Sequence, residues 1–195
     1  MLNLFDSGDF KEDIKTYCSE LKEECKRKGL SSKGMHSCTG KSDYVGNCLL
    51  ILSRRSENIS KDFKGAEDKK LSHILKERQL TNCFLTYCYL FPKDIVSRKD
   101  IKDFAPWIHR LTRLIRPKLI TVLGEPAQLT YLSRKKLLKE YHGQRIGDFD
   151  NIPIFLTYNM DYYTTKSEYE DNTFKLFIRN NDWDNIQKEY EKRIT

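Results

Sequence analysis

The sequence has no apolar run approaching the ~20 residues that a helix needs to span a hydrocarbon layer, so no membrane partner is expected. Its first residues, Met1-Leu2-Asn3-Leu4-Phe5-Asp6, lack the basic and then apolar plan of a secretory leader. A cytoplasmic protein, of a cell or of a virus replicating in one, is the simplest expectation. No internal repeat or low-complexity segment interrupts the chain. None of the six cysteines forms a C-x-x-C pair, which argues against a zinc ribbon. Cys18, Cys25 and Cys38 have only His36 nearby as a further good ligand, and free thiols are expected there. Cys83 and Cys88 lie in an apolar run and read as buried core thiols. Neither a metal nor another cofactor is expected.

What is present fits one globular domain over residues 1–195, with a helix and loop in 1–47 and a core in 48–195. Hydrophobic residues make up 38%, aromatics 12% and charged residues 32%, a composition with enough apolar surface for a core and a well-solvated exterior. The net charge is +7, with a pI near 9.0. Such a balance serves solubility, or it attracts phosphates and makes nucleic-acid affinity depend on salt. Charge alone does not choose between them.

Apolar spacing of three and four residues predicts a helix from Phe10 to Lys28, stopped by Gly29. Cys48 to Leu52 is a continuous apolar run, as in a strand buried on both faces. Helical periodicity returns over Glu67–Gln79. A second apolar run, Cys83 to Phe91, ends at Pro92. Ser97 to Arg116 is the clearest helix, with Ile101, Phe104, Ala105, Ile108, Leu111 and Ile115 on one face and a bend expected at Pro106. Leu119–Leu123 is a third strand and Ile152–Tyr158 a fourth. Gln128–Tyr141 reads as a basic helix, and Phe174–Arg193 as the closing one. Strand alternating with helix predicts an α/β fold, a three-layer α/β/α sandwich around a mostly parallel four-stranded sheet.

In such sheets ligands bind beyond the carboxyl ends of the strands. The loops there carry Ser53, Arg54, Arg55, Phe63, Tyr89, Lys93, Glu125, Asn159 and Tyr162. Aromatics mixed with cations suit a groove that stacks bases and contacts phosphates. Polar loops with common Tyr and Phe give the same list without any ligand.

Several segments carry a resemblance. Leu85-Thr86-Tyr87-Cys88 is followed by Ile115-Arg116-Pro117-Lys118-Leu119-Ile120-Thr121-Val122-Leu123-Gly124. Asp62-Phe63-Lys64-Gly65 precedes them, and Ile152 to Tyr162, then Asp182-Trp183-Asp184-Asn185-Ile186-Gln187, follow. In order and spacing, from about Leu49 to Lys188, they resemble the uracil-DNA glycosylase superfamily, closest to its iron–sulfur-type branch, family four. The resemblance implies an enzyme that flips a uracil out of DNA, stacks it on an aromatic ring and cleaves its glycosidic bond. An acid or amide would position water, an amide would read the base, and a histidine would stabilise the departing anion.

The reactive positions depart from that pattern. Ser53-Arg54 follows Leu52 where the family has Gly-Glu, and Arg54 would repel a cationic transition state. Tyr87 stands in the place of the base-reading Asn, and Asn159 in the place of the histidine. Asn donates a hydrogen bond but cannot become a cation. Phe91 and Phe104 occupy the places of two cluster cysteines, and their rings are expected to pack there. Phe63 keeps the aromatic platform, or is a core phenylalanine. Glu57, Asp62 and Glu125 are loop acids, each a replacement catalyst, a cap or a surface charge. Of the histidines, His36, His73, His109 and His142 fall elsewhere, and His109, beside Arg110 and Arg113, reads as part of a solvated face.

The expectation is a uracil-DNA glycosylase-like protein that binds DNA or another nucleic acid and has lost or altered uracil excision. Arg54, Arg55, Phe63, Tyr87, Asn159 and Tyr162 would form its binding site, with Asn159 and Glu57 as catalytic candidates. A protein-binding scaffold is a variant of this reading. The alternative is an enzyme acting on uracil or another modified pyrimidine through a rebuilt pocket.

Overall fold

The computed structural model describes residues 7–30, 42–53, 66–91, 96–160, 162–163 and 172–195. The predicted strands form where the apolar runs lie: β1 (Leu49–Ser53), β2 (Cys83–Tyr87), β3 (Leu119–Leu123) and β5 (Ile152–Thr157). They pair in parallel in the order β2-β1-β3-β5. All five side chains of β3 are buried, which is why its sequence shows no polar alternation.

The alternation of side chains divides the core in two. Leu50, Leu52, Ile120, Val122, Ile154 and Leu156 point to one face, under α1 (Ser7–Arg27) and α3 (Arg98–Ile115). Leu49, Ile51, Leu119, Leu123 and Phe155 point to the other, under α2 (Ala66–Glu77) and α6 (Asn172–Ile194). Each fully buried Leu or Ile contributes roughly 1.5–3 kcal/mol by leaving water. On the first face the Tyr17 hydroxyl donates to the Trp107 carbonyl at 3.2 Å, and Arg110 pairs with Glu20, tying α1 to α3. On the second, Arg78 after α2 pairs with Asp184 of α6.

The helix α3 carries the predicted stripe, with Ile101, Phe104, Ala105, Ile108, Leu111 and Ile115 all buried. Its start is fixed by a capping box in which Ser97 and Asp100 satisfy each other's backbone amides. The helix runs on through Pro106, whose ring sits on the exposed side.

Two expectations are corrected. Among the described residues the sheet has five strands, not four: β4 (Gln144–Phe149) pairs antiparallel with β5 at the edge. Polar residues interrupt its apolar ones and only Ile146 is fully buried, so no apolar run announces it. The connection is a two-residue hairpin, Phe149 opposite Ile152, with Asp150 and Asn151 both at positive φ, 49° and 64°. Those angles define the turn whose twist matches the flanking strands, and Asn and Asp tolerate them best after glycine.

The predicted helix over Gln128–Tyr141 is also not formed. α4 covers only Gly124–Gln128 and α5 only Leu138–Tyr141. Between them the chain turns back, because the buried Gln128 amide grips the Lys136 backbone at both ends. Its Oε1 accepts from the Lys136 amide at 2.5 Å, and its Nε2 donates to the Lys136 carbonyl at 3.0 Å. Leu129 to Tyr141 looks helical in spacing, but this side-chain clamp offers the backbone a closed loop instead.

The hairpin gives a direct test. Asn151→Val places a β-branched residue at φ 64° and should cost about 1–2 kcal/mol, whereas Asn151→Gly should be neutral or stabilising. Urea denaturation midpoints of the two variants would show this ordering.

Candidate functional site

In the strand order β2-β1-β3-β5-β4, the chain leaves β1 toward opposite sides of the sheet to make β2 and β3. The carboxyl ends of β1 and β3 therefore flank the switch point at which such folds open a crevice. Ser53 ends β1 and is opposite Tyr87 on β2. Arg54, Arg55, Glu57, Asp62, Phe63 and Lys93 lie outside the described residues. The site can be built from the ends of β2, β3 and β5.

At the end of β3, Gly124 takes φ +78°, and a Cβ added there would stand 3.6 Å from the Asn159 Cβ. The left-handed turn into α4 is what calls for glycine, and the Asn159 loop lies in ordinary van der Waals range of it. Asn159 is half-buried. Its carbonyl accepts from the Tyr162 amide at 3.2 Å, and the next residue, Met160, is buried in the core beneath. Glu125, one residue past Gly124, is ion-paired with Lys135.

Beyond β5 stands a rack of tyrosines. Tyr158 and Tyr162 stack with centroids 4.0 Å apart and planes 20° apart, and Tyr163 meets both edge-on. The Lys175 ammonium lies 5.3 Å from the Tyr162 centroid, within cation–π range. The structure therefore brings Asn159 and Tyr162 together, and adds Tyr158, Tyr163 and Lys175, which the reading of the sequence did not select. The close run of Tyr158, Tyr162 and Tyr163 was the available signal.

His142 was missed as well. Just before β4, its Nδ1 lies 2.6 Å from Oδ1 of Asp182, and its ring packs on Tyr158 at 5.2 Å. Asp182 has no exposure at all, and its Oδ2 accepts from the Thr157 hydroxyl at 2.7 Å. With the Thr157 proton committed to Asp182, the Tyr163 hydroxyl donates to Thr157 at 3.2 Å. Tyr163, Thr157, Asp182 and His142 thus form one chain of polar groups under the tyrosine rack. Gly143 allows it: a Cβ there would fall 2.6 Å from Asp182 Oδ1, and its φ is +68°. Burial pushes the Asp182 carboxyl above the ordinary carboxylate range, outweighing the hydrogen bonds from His142 and Thr157. Burial also pushes the Tyr163 phenol up, and the nearby Asp182 charge adds to this. His142 and Asp182 are 40 residues apart, and no local pattern joins them.

The other sequence candidates lie in the core. Tyr87 is 1% exposed and belongs to the cluster under α1 and α3. Tyr89 is buried too, and its ring packs edge-on against Phe91 and Phe104, which meet each other at 5.1 Å and 84°. The packing expected of Phe91 and Phe104 is therefore present, with Tyr89 as a third ring. His109 does not lie on a purely solvated face. Its Nε2 is 2.6 Å from the Thr130 carbonyl and its ring stacks on Tyr131 and against Phe149. Cys18, Cys25, Cys48, Cys83 and Cys88 are free thiols. Cys88 is buried, while Cys83 is half-buried, donates to the Leu80 carbonyl and has its thiol pushed up to about 12 by burial. Among the described residues no helix is long and apolar enough to cross a membrane.

The raised Asp182 carboxyl sets a pH dependence. Between its unfolded and folded pKa values the native state holds the proton more readily than the unfolded chain, so wild-type stability falls as pH rises through that window. Asp182→Asn cannot titrate and keeps the shape and one of the two acceptor oxygens, so it shifts stability by an amount that does not change with pH in this window. Urea denaturation at a series of pH values should show the advantage of wild type over this variant shrinking as pH rises. A constant difference would contradict the assigned cause.

Comparison with known proteins agrees with the sheet. No curated protein sequence matches the chain. The family model described as the uracil DNA glycosylase superfamily matches residues 53–181, which runs from the last residue of β1 into α6. With more than half of the chain matched, over the span that carries the crevice, this protein belongs to the uracil DNA glycosylase superfamily.

Proposed function

We propose that this protein binds DNA through its glycosylase-type crevice, and that it derives from the iron–sulfur-type branch with uracil excision lost or altered. The observation that carries this reading is Asn159, packed over Gly124 in the place where that branch keeps its histidine. A carboxamide there can donate one hydrogen bond to a departing base, yet it brings no positive charge to the anion. Tyr87 supports the same reading. Buried to 1%, it fills the base-reading position with a ring. The Tyr89–Phe91–Phe104 packing puts aromatic carbon where the branch has cluster ligands. The net charge of +7 and the half-exposed Tyr158–Tyr162 stack suit phosphates and bases respectively.

A second reading is favoured by one specific feature. The imidazole of His142, held by the buried Asp182 and touching Tyr158, is the arrangement that gives a histidine a fixed orientation for proton transfer. In that reading the pocket has been rebuilt for another modified base, with His142 in place of the lost histidine.

One assay separates the two. Single- and double-stranded oligonucleotides carrying uracil, modified pyrimidines or deaminated purines are incubated with excess protein, and abasic sites are revealed by alkaline cleavage. The first reading expects retention of the DNA with no cleavage of the uracil strand, because loss of a water-positioning group and an anion stabiliser costs about 10²–10⁴-fold each. Cleavage of a substrate other than uracil, abolished by His142→Ala, would establish the second. Efficient uracil cleavage would overturn the first.

A further inference from the structure

We propose that a cleft between the first turns of α3 and the segment joining α4 to α5 holds the phosphodiester backbone of a DNA strand. The inference rests on the DNA-binding reading above and names the surface that would carry it. The cleft has a volume of about 420 Å³, and its walls bear Arg98, Lys99, Lys102 and Lys135 against a single lining carboxylate, Asp103. Leu129 and Ser133 complete the lining.

Three of the cations come from one helix face. Arg98 and Lys102 are four residues apart, and Lys99 and Lys102 three, so their side chains are neighbours and repel one another by a few tenths of a kcal/mol per pair. All three are exposed, and none pairs with a carboxylate among the described residues. Asp100, the nearest acid on the helix, is turned back to cap Ser97. The capping box satisfies the Ser97 and Asp100 amides, so the attraction rests mainly on the side chains. The fourth cation reaches in from another element: Lys135 is held by Glu125, the residue after Gly124.

Scattered lysines on a convex helix serve solubility alone. Here three cations of α3 with no carboxylate partner among the described residues line a concavity beside Lys135, which is already paired with Glu125, and repulsion among the three is relieved by an anion. The place fits a strand whose nucleotide enters the crevice. α3 follows β2 and begins on the carboxyl side of the sheet, and α4 touches both features through Gly124 against Asn159 and Glu125 against Lys135. A polyanion lying in the cleft would thus pass the Asn159 loop.

The test uses the full chain, a fluorescein-labelled single-stranded 20-mer and its duplex, and anisotropy across a potassium chloride titration. The triple variant Arg98→Gln, Lys99→Gln, Lys102→Gln is compared with Lys188→Gln, Lys192→Gln on the exposed side of α6. The triple variant should bind the single strand at least about tenfold more weakly at low salt, with a log–log salt slope shallower by about 2, since each phosphate contact contributes about 0.7. The α6 variant should stay within about twofold of wild type, as expected for charges outside the contact. Thermal melting of both should match wild type, because every altered side chain is exposed. If the triple variant binds with unchanged affinity and slope, the cleft is not the phosphate site, while DNA binding stands. If wild type binds neither form of DNA, the DNA-binding reading falls and this inference with it.

Discussion

Everything at the candidate site depends on the burial of β3 between two parallel neighbours. With all five of its side chains inside, β3 cannot slip by one residue without exchanging Ile120 and Val122 for Leu119, Thr121 and Leu123 between layers. That fixed register sets where Gly124 emerges. It also sets β5 at its side, with Leu123 opposite Thr157, so that Asn159 arrives over Gly124 and not elsewhere. The functional loops inherit their positions from a strand that touches no ligand.

The aromatic trio shows how the second level of positioning is achieved. α3 must be anchored over the sheet at its start. Tyr89, Phe91 and Phe104 fix it by three edge-to-face contacts between 5.1 and 5.7 Å. Such pairs are worth about 0.5–1.5 kcal/mol each beyond the area they bury. The helix is held against the sheet, and its first turns carry Arg98, Lys99 and Lys102 outward.

How much of this was legible in the sequence follows from what each element buries. β1, β3 and β5 were readable because they are apolar without interruption, and α3 because its apolar face recurs at helical spacing. β4 was not, since an edge strand with one buried side chain has nothing to alternate. The Asp150-Asn151 pair was a turn signal, but it means a hairpin only when flanked by strands, and one of those was invisible. The false helix over 128–141 had the right spacing and was undone by Gln128, whose amide finds its partners on Lys136 only after the chain has folded back. The site divides likewise. Asn159 and Tyr162 stood out by their place beyond a strand. The link between His142 and Asp182 exists only once β4 and α6 are packed together.

Base chemistry and phosphate attraction have different physical tolerances. Base chemistry needs a group placed to about 0.5 Å and of the right charge, so that under the proposed reading an asparagine at position 159 in place of a histidine would be a large change. Attraction of a phosphate backbone acts over a screening length near 8 Å and tolerates side chains that move. Under the proposed reading, a chain that had lost its reactive residues could therefore still use the cleft lined by Arg98, Lys99, Lys102 and Lys135. The polar chain from Tyr163 to His142 is the exception to be weighed. A buried carboxylate with raised pKa is costly, and a structural latch between β4 and α6 would be served as well by apolar side chains. Its presence beneath the tyrosine rack is what makes the rebuilt-pocket reading physically distinct from a silent scaffold.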